Sequence, residues 1–256
     1  MPERGTGDSM FLKSLAALAV GIAVGFSAPV MAQESFKVGV TTTGVPFTFV
    51  DTTTQQPTGA MVDLAKAIAT EVGLKPTFEL TAFSALVPSL STHKIDVISA
   101  GMLATDERRK VVDFSEPVYT YGDAMFVAAD AKDVTLDDLK GQVVGAQVGT
   151  TFADSLKALN IFSEVKLYES IADIMRDVKL GRIKAGFGDQ PIIAYQIAKN
   201  PGLGVRLVKG YKPLKEGQVA LAIAKDNPAL LTKVNAAILK LKASGELDKI
   251  FAAYGL

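Results

Sequence analysis

Three short segments of this chain carry side chains suited to holding a small charged molecule. The first is GMLATDER, residues 101–108, which follows an apolar run of strand type at 96–100. A turn that delivers Arg108 to the carboxyl edge of a strand supplies a bidentate donor for a carboxylate. That edge is where open α/β sheets bind ligands. The second segment is Gly149, Thr150 and Thr151, between a strand pattern at 143–147 and a helix pattern at 151–159. Free amides at a helix N-terminus, with two hydroxyls beside them, form an anion cradle. The third is Gly188, Asp189, Gln190 and Pro191, which ends a strand pattern at 185–188 and places Asp189 to pair with an ammonium group. Taken singly, each has a plain alternative: a solvated Arg108 beside Arg109 and Lys110, an ordinary threonine N-cap, and helix capping by Asp189. Taken together they make an anion clamp and a cation acceptor, which is what a zwitterion requires.

The residues that are missing narrow the chemistry further. The chain has no cysteine, so thiol nucleophiles, disulfides and thiolate metal sites are excluded. A single histidine, His93, leaves no material for a zinc site of several histidines. Neither a metal nor a cofactor is expected. Lys plus Arg and Asp plus Glu are 27 each. A nucleic-acid partner, which calls for a basic excess, is therefore not expected either.

The elements that must position these segments follow from periodicity. Strand patterns at 36–40, 77–80 and 96–100 alternate with helical patterns at 62–72 and 84–90. A second series has strands at 143–147, 165–168 and 185–188 and helices at 151–159 and 170–180, the latter closed by Gly181. Residues 135–138 read as a capping box, 51–59 as a surface loop and 228–243 as a last long helix. Such alternation predicts an α/β protein. Two series of about 90 residues each suggest two lobes rather than one large sheet.

The N-terminus reads as a leader. Residues 14–26 are apolar, Lys13 flanks them, and Val30 and Ala32 are the small residues that precede a signal-peptidase cut before Gln33. The run of about 13 residues is too short to cross a bilayer. Glu3 and Asp8 are foreign to such leaders, which points to Met10 as the natural start. No cysteine follows to carry a lipid, so a soluble periplasmic protein is expected.

Residues 36–256 resemble the amino-acid-type (family 3) solute-binding proteins of ABC importers. The matching stretches are FKVGVTTTGVPFTFVD, GAMVDLAKAIA, DVISAGMLATDERRKVVDFSEPVY, DDLKGQVVGAQVGTT, LGRIKAGFGDQP and AKDNPALLTKVNAAILKLKASGELDKIF, of which TDERRKVVDFSEPVY is the most specific. The resemblance implies a type II periplasmic-binding-protein fold, two α/β lobes joined by two hinge strands. Lobe 1 would take residues 36–118 plus 219–256 and lobe 2 residues 123–212, with hinges near 119–122 and 213–218. It implies capture of an L-amino acid, or a related small zwitterion or organic acid, for delivery to a membrane ABC permease by a monomer. By the same resemblance, Arg108 grips the ligand carboxylate, Thr151 donates to it from lobe 2, and Asp189 receives the ammonium. Thr150, Gly101, Leu103, Phe47, Gly44 and Tyr119 complete the expected ligand-binding set. Cyclohexadienyl dehydratases share the fold, so a secreted enzyme of that kind is the alternative.

The departures from the family pattern concern the side-chain pocket. Gly44 stands where an aromatic ring is usual, Ala60 stands where Phe is usual, and Leu103 replaces a common hydroxyl. Losing two rings predicts a wider pocket and roughly 1–3 kcal/mol less stacking per ring. Phe47, Phe83, Tyr119, Tyr121 and Phe152 are the rings that would compensate.

Overall fold

The computed structural model describes residues 35–256. The leader assigned to residues 1–32, its cut before Gln33 and the start at Met10 lie outside the described residues. The chain runs β1 (Ser35–Val40), β2 (Thr43–Gly44), β3 (Thr48–Val50), β4 (Pro57–Thr58), α1 (Ala60–Val72), β5 (Lys75–Leu80) and α2 (Leu86–Ser91). It continues through β6 (Val97–Ile98), α3 (Asp106–Arg109), β7 (Val112–Phe114) and the long β8 (Tyr119–Ala128). Next come β9 (Val143–Gln147), α4 (Thr151–Leu159), β10 (Glu164–Tyr168), α5 (Ile171–Lys179), β11 (Ala185–Asp189) and α6 (Gln190–Lys199). The last elements are β12 (Val205–Leu207), β13 (Glu216–Val219), β14 (Ala222–Ala224), α7 (Pro228–Ala243) and α8 (Glu246–Ala252).

Two sheets carry the molecule. The first has the order β5-β1-β6-β14-β7, with β1 parallel to β5 and β6, and β14 antiparallel to both of its neighbours. Alternation in β1 buries Phe36, Val38 and Val40, as period-two patterning on a sheet requires. Helix α1 buries Leu64, Ala65, Ile68 and Ala69 along one stripe, and Gly73 ends it at φ 71. It begins two residues before the apolar period predicts. Because β14 lies between β6 and β7, the C-terminal segment from β14 onward folds back into this first sheet. Helices α7 and α8 then pack on α1. Lys240 Nζ lies 2.6 Å from Glu71 Oε2, and the Tyr254 hydroxyl donates to Asp63 Oδ2 at 2.6 Å.

The second sheet has the order β10-β9-β11-β8-β12. Its core of Val144, Ala146, Leu156 and Phe187 is packed separately from the Leu86, Leu90 and Ile98 core of the first sheet. Strand β8 serves both halves of the molecule. Its residues 119–122 pair with β13, from Tyr119 opposite Val219 to Gly122 opposite Glu216. From Asp123 onward it pairs with β11 and β12 inside the second sheet. The antiparallel pair β8–β13 therefore joins the two α/β lobes. Parallel strands β1, β9 and β11 end on the side where the site segments begin, as open α/β sheets dictate. The 51–59 segment is not entirely loop. Asp51 accepts the Thr53 and Thr54 amides in a tight turn, and β4 pairs with β3 just after it.

Candidate ligand-binding site

Arg108 is set in place by a short cap. Thr105 is the N-cap of α3, and its hydroxyl accepts the Arg108 amide at 3.3 Å. The guanidinium does not extend into solvent. Nη1 donates to the Leu103 carbonyl at 2.7 Å, and Nη2 crosses to the other lobe, donating to the Gly149 carbonyl at 3.0 Å. Its Cζ stands 5.7 Å from the centre of the Phe83 ring, within cation–π range. Burial lowers the Arg108 pKa, while the nearby Tyr121, Asp189 and Asp154 act in the opposite direction. Arg108 and Asp189 thus feel one another across the cleft.

At the start of α4 the two threonines separate in role. Thr150 is the N-cap: its hydroxyl accepts the Ala153 amide at 3.3 Å and donates to the Gln147 carbonyl at 2.7 Å. Those bonds occupy Thr150 in capping. Thr151 is the first helical residue, and among the described residues neither its amide nor its hydroxyl has a protein partner. Gly149 just before it has φ 77, and a Cβ there would stand 2.9 Å from Ser84 Cα of the facing lobe. The lobes meet at this point with no room for a side chain.

Asp189 occupies the N-cap position of α6 without capping it. Its Oδ1 instead contacts the hydroxyl of Tyr121, which also lies 2.9 Å from the Gly101 carbonyl oxygen. Burial raises the Asp189 pKa, partly offset by the Tyr121 hydrogen bond. The Tyr121 pKa is raised well above 10, first by burial and then by Asp189. Asp123 lies opposite Asp189 in the β8–β11 ladder. Its carboxylate accepts the Tyr211 hydroxyl at 2.5 Å and the Lys215 amide at 2.8 Å.

The remaining expected residues divide between support and core. Gly101 turns at φ 70 with the Phe47 ring 3.2 Å from where its Cβ would lie. Leu103 gives the site its carbonyl, while its side chain packs on Gly217 of β13. Phe47 is 1% exposed, placed 5.7 Å from Tyr119 and 5.6 Å from Tyr121. Tyr119 stacks on Phe251 at 5.1 Å, and Tyr121 reaches Phe152 at 6.3 Å. The wider pocket expected from Gly44 and Ala60 is not what these positions produce. A Cβ on Gly44 would meet the Thr41 and Thr48 hydroxyls at 3.1 Å, and Ala60 is fully buried in the first turn of α1. Space does open elsewhere. A cavity of about 490 Å³ lies beside Phe83 and Ser84, lined also by Thr42, Thr43 and Glu169.

Sequence reasoning missed the Gly149 carbonyl, and it offered Phe83 and Tyr121 only as pocket rings, not as the ring beside Arg108 and the hydroxyl beside Asp189. A signal for the last exists, since Tyr119, Tyr121 and Asp123 share one face of β8 at period two.

With two lobes meeting at a half-buried Arg108, an open helix N-terminus and a buried acid, the comparisons with known proteins become informative. The bacterial extracellular solute-binding proteins, family 3, match residues 36–256. The chain belongs to this family. The ABC transporter arginine-binding protein 1 of Escherichia coli (strain K12) is 35% identical over 237 residues, 92% of this chain and 95% of that one. A solved ancestral arginine-binding protein bound to arginine is 34% identical with a TM-score of 0.81, covering 88% of this chain and 99% of its own. An ancestral amino-acid-binding protein, described as a precursor of cyclohexadienyl dehydratase, is also 34% identical with a TM-score of 0.77, covering 86% and 95%. Among the described residues no helix of this family member is long and apolar enough to cross a membrane.

Proposed function

We propose that this protein captures an L-amino acid, or a related small zwitterion or organic acid, between its two lobes and delivers it to a membrane ABC permease. The observation that carries the reading is the crossing of Arg108 from lobe 1 to the Gly149 carbonyl of lobe 2, beside the unspent amide and hydroxyl of Thr151. A carboxylate bound there touches both lobes at once, so its binding energy favours the closed state. Lobe 1 comprises residues 36–118 plus 219–256 and lobe 2 residues 123–212, with hinges near 119–122 and 213–218, a reading supported by the pairing of β8 with β13. Asp189 is the acidic group on the other side of the solute, and the cavity beside Phe83 accommodates its side chain. The arginine-binding relatives support an amino-acid-type solute. The leader and the family support secretion to the periplasm.

A thermal-shift screen of the purified protein against amino acids and small organic acids tests this, because a tight ligand stabilises the folded state by mass action. A shift with at least one small carboxylate is expected. No shift with any member contradicts the reading. An ultraviolet assay with prephenate and arogenate is expected to show no product, since Arg108, Thr151 and Asp189 are arranged to hold a solute.

A further inference from the structure

Tyr121 places one hydroxyl proton between two acceptors. The Gly101 carbonyl lies on one side and Asp189 Oδ1 on the other. A phenol donates once, so an ionised Asp189 would leave one of these two oxygen contacts without a proton. A neutral Asp189 completes the chain, donating to Tyr121, which donates to Gly101. Of the charged groups around the acid, Asp123 favours that state and the Arg108 guanidinium opposes it. Asp123 faces it across the ladder, Arg108 is already engaged by two carbonyls, and Asp154 lies exposed in the first turn of α4.

We infer that Tyr121 stands where a ligand ammonium would bind, so that this site prefers a carboxylate lacking an α-ammonium group, such as a hydroxy or keto acid, over the matching amino acid. The inference rests on the capture reading and sharpens its ligand class. Charge balance supports it. Arg108 with a neutral Asp189 presents one net positive charge, the complement of a simple carboxylate, whereas a zwitterion needs the acid ionised. Burial of Asp189 favours the neutral form in the same sense. To accept an amino acid, the site must give up the Tyr121 bond and release a proton. Tyr121 is thereby a specificity-determining residue. Its ring, stacked on Phe47 at 5.6 Å, holds the hydroxyl in place.

The test is calorimetric titration at pH 7 of the purified protein and its Tyr121→Phe variant with matched pairs. These are L-arginine with its α-hydroxy analogue argininic acid, L-phenylalanine with L-phenyllactate, and L-leucine with L-leucate. In any pair that binds, the hydroxy acid is expected to bind about tenfold tighter or more. Comparing buffers of different ionisation enthalpy should show release of about one proton per amino acid bound and none for the hydroxy acid. Tyr121→Phe keeps the ring and should shift the preference at least about tenfold toward the amino acid. A wild-type preference for the amino acid, or a preference untouched by Tyr121→Phe, overturns the inference. If that happens while Arg108→Ala still abolishes binding, the capture reading survives. Failure of every pair to bind, or binding unaffected by Arg108→Ala, overturns both.

Discussion

A guanidinium has five N–H bonds to give. Arg108 spends two of them on carbonyls, which leaves three for a solute. Its position is already fixed by Leu103, Gly149 and Phe83, so a carboxylate arriving there incurs little ordering cost. Asp189 has the opposite economy. Its pKa is raised in the fold, so the stability it contributes is complete below the unfolded value of about 4 and is lost as pH rises. Asp189→Asn removes that loss. Melting curves of the ligand-free protein should show the variant gaining on wild type between about pH 4 and pH 7. An unchanged difference across that range would show that the buried acid carries no such cost. The types Arg108, Thr151 and Asp189 were legible in the sequence because each follows a strand at a turn. The hydroxyl of Tyr121 was only partly so: period two puts Tyr121 on the face of Tyr119 and Asp123, but nothing local marks its contact with an acid 68 positions away.

At the scale of elements, most strands and long helices were legible from periodicity, and the places that were not have physical causes. Helix α6 has only a weak apolar stripe, because Pro191, Ile192 and Ile193 are buried while the rest of the helix is half exposed or exposed. Helix α8 follows a left-handed Gly245 that reads locally as an end rather than a start. Strand β8 was not read from periodicity, and residues 119–122 entered only as a hinge implied by the family resemblance, since its pairing partners β11, β12 and β13 are all distant in sequence. Two element-scale outcomes are expected. Gly149→Ala forces a Cβ to within 2.9 Å of Ser84 Cα and should weaken ligand binding roughly tenfold or more. Melting of the free protein should change less, by the roughly 1–2 kcal/mol of a left-handed alanine. Equal affinity would place the lobe contact elsewhere. In lobe 2, Asp177 accepts from Tyr168, Lys166 and Arg182, which tie α5 to β10 and hold its pKa down to about 2. A depressed carboxylate contributes stability above its unfolded pKa that is lost as pH falls, here between about 4 and about 2. Asp177→Asn should therefore be less stable than wild type at pH 7 and converge with it near pH 2. A constant gap would assign the loss to packing.

In the proposed function neither lobe holds a complete site. Lobe 1 brings a cation with fixed geometry. Lobe 2 brings an open helix N-terminus and a buried acid, and β8 runs through both with Tyr121 at the junction. A chain of rings, Phe251, Tyr119, Phe47, Tyr121 and Phe152, follows the same path at centroid spacings of 5.1, 5.7, 5.6 and 6.3 Å. Movement of one lobe must therefore repack that chain or pivot about it. The relatives described above are arginine- and amino-acid-binding proteins, yet the side-chain end of the proposed site departs from the family pattern at Gly44 and Ala60. The anchor is the part on which the account depends. Calorimetric titration of wild type and Arg108→Ala with the carboxylate found by screening tests it most directly. Loss of the guanidinium should cost roughly 2–5 kcal/mol of affinity, the range for breaking a buried charge pair. Unchanged affinity in Arg108→Ala would contradict the account at its centre.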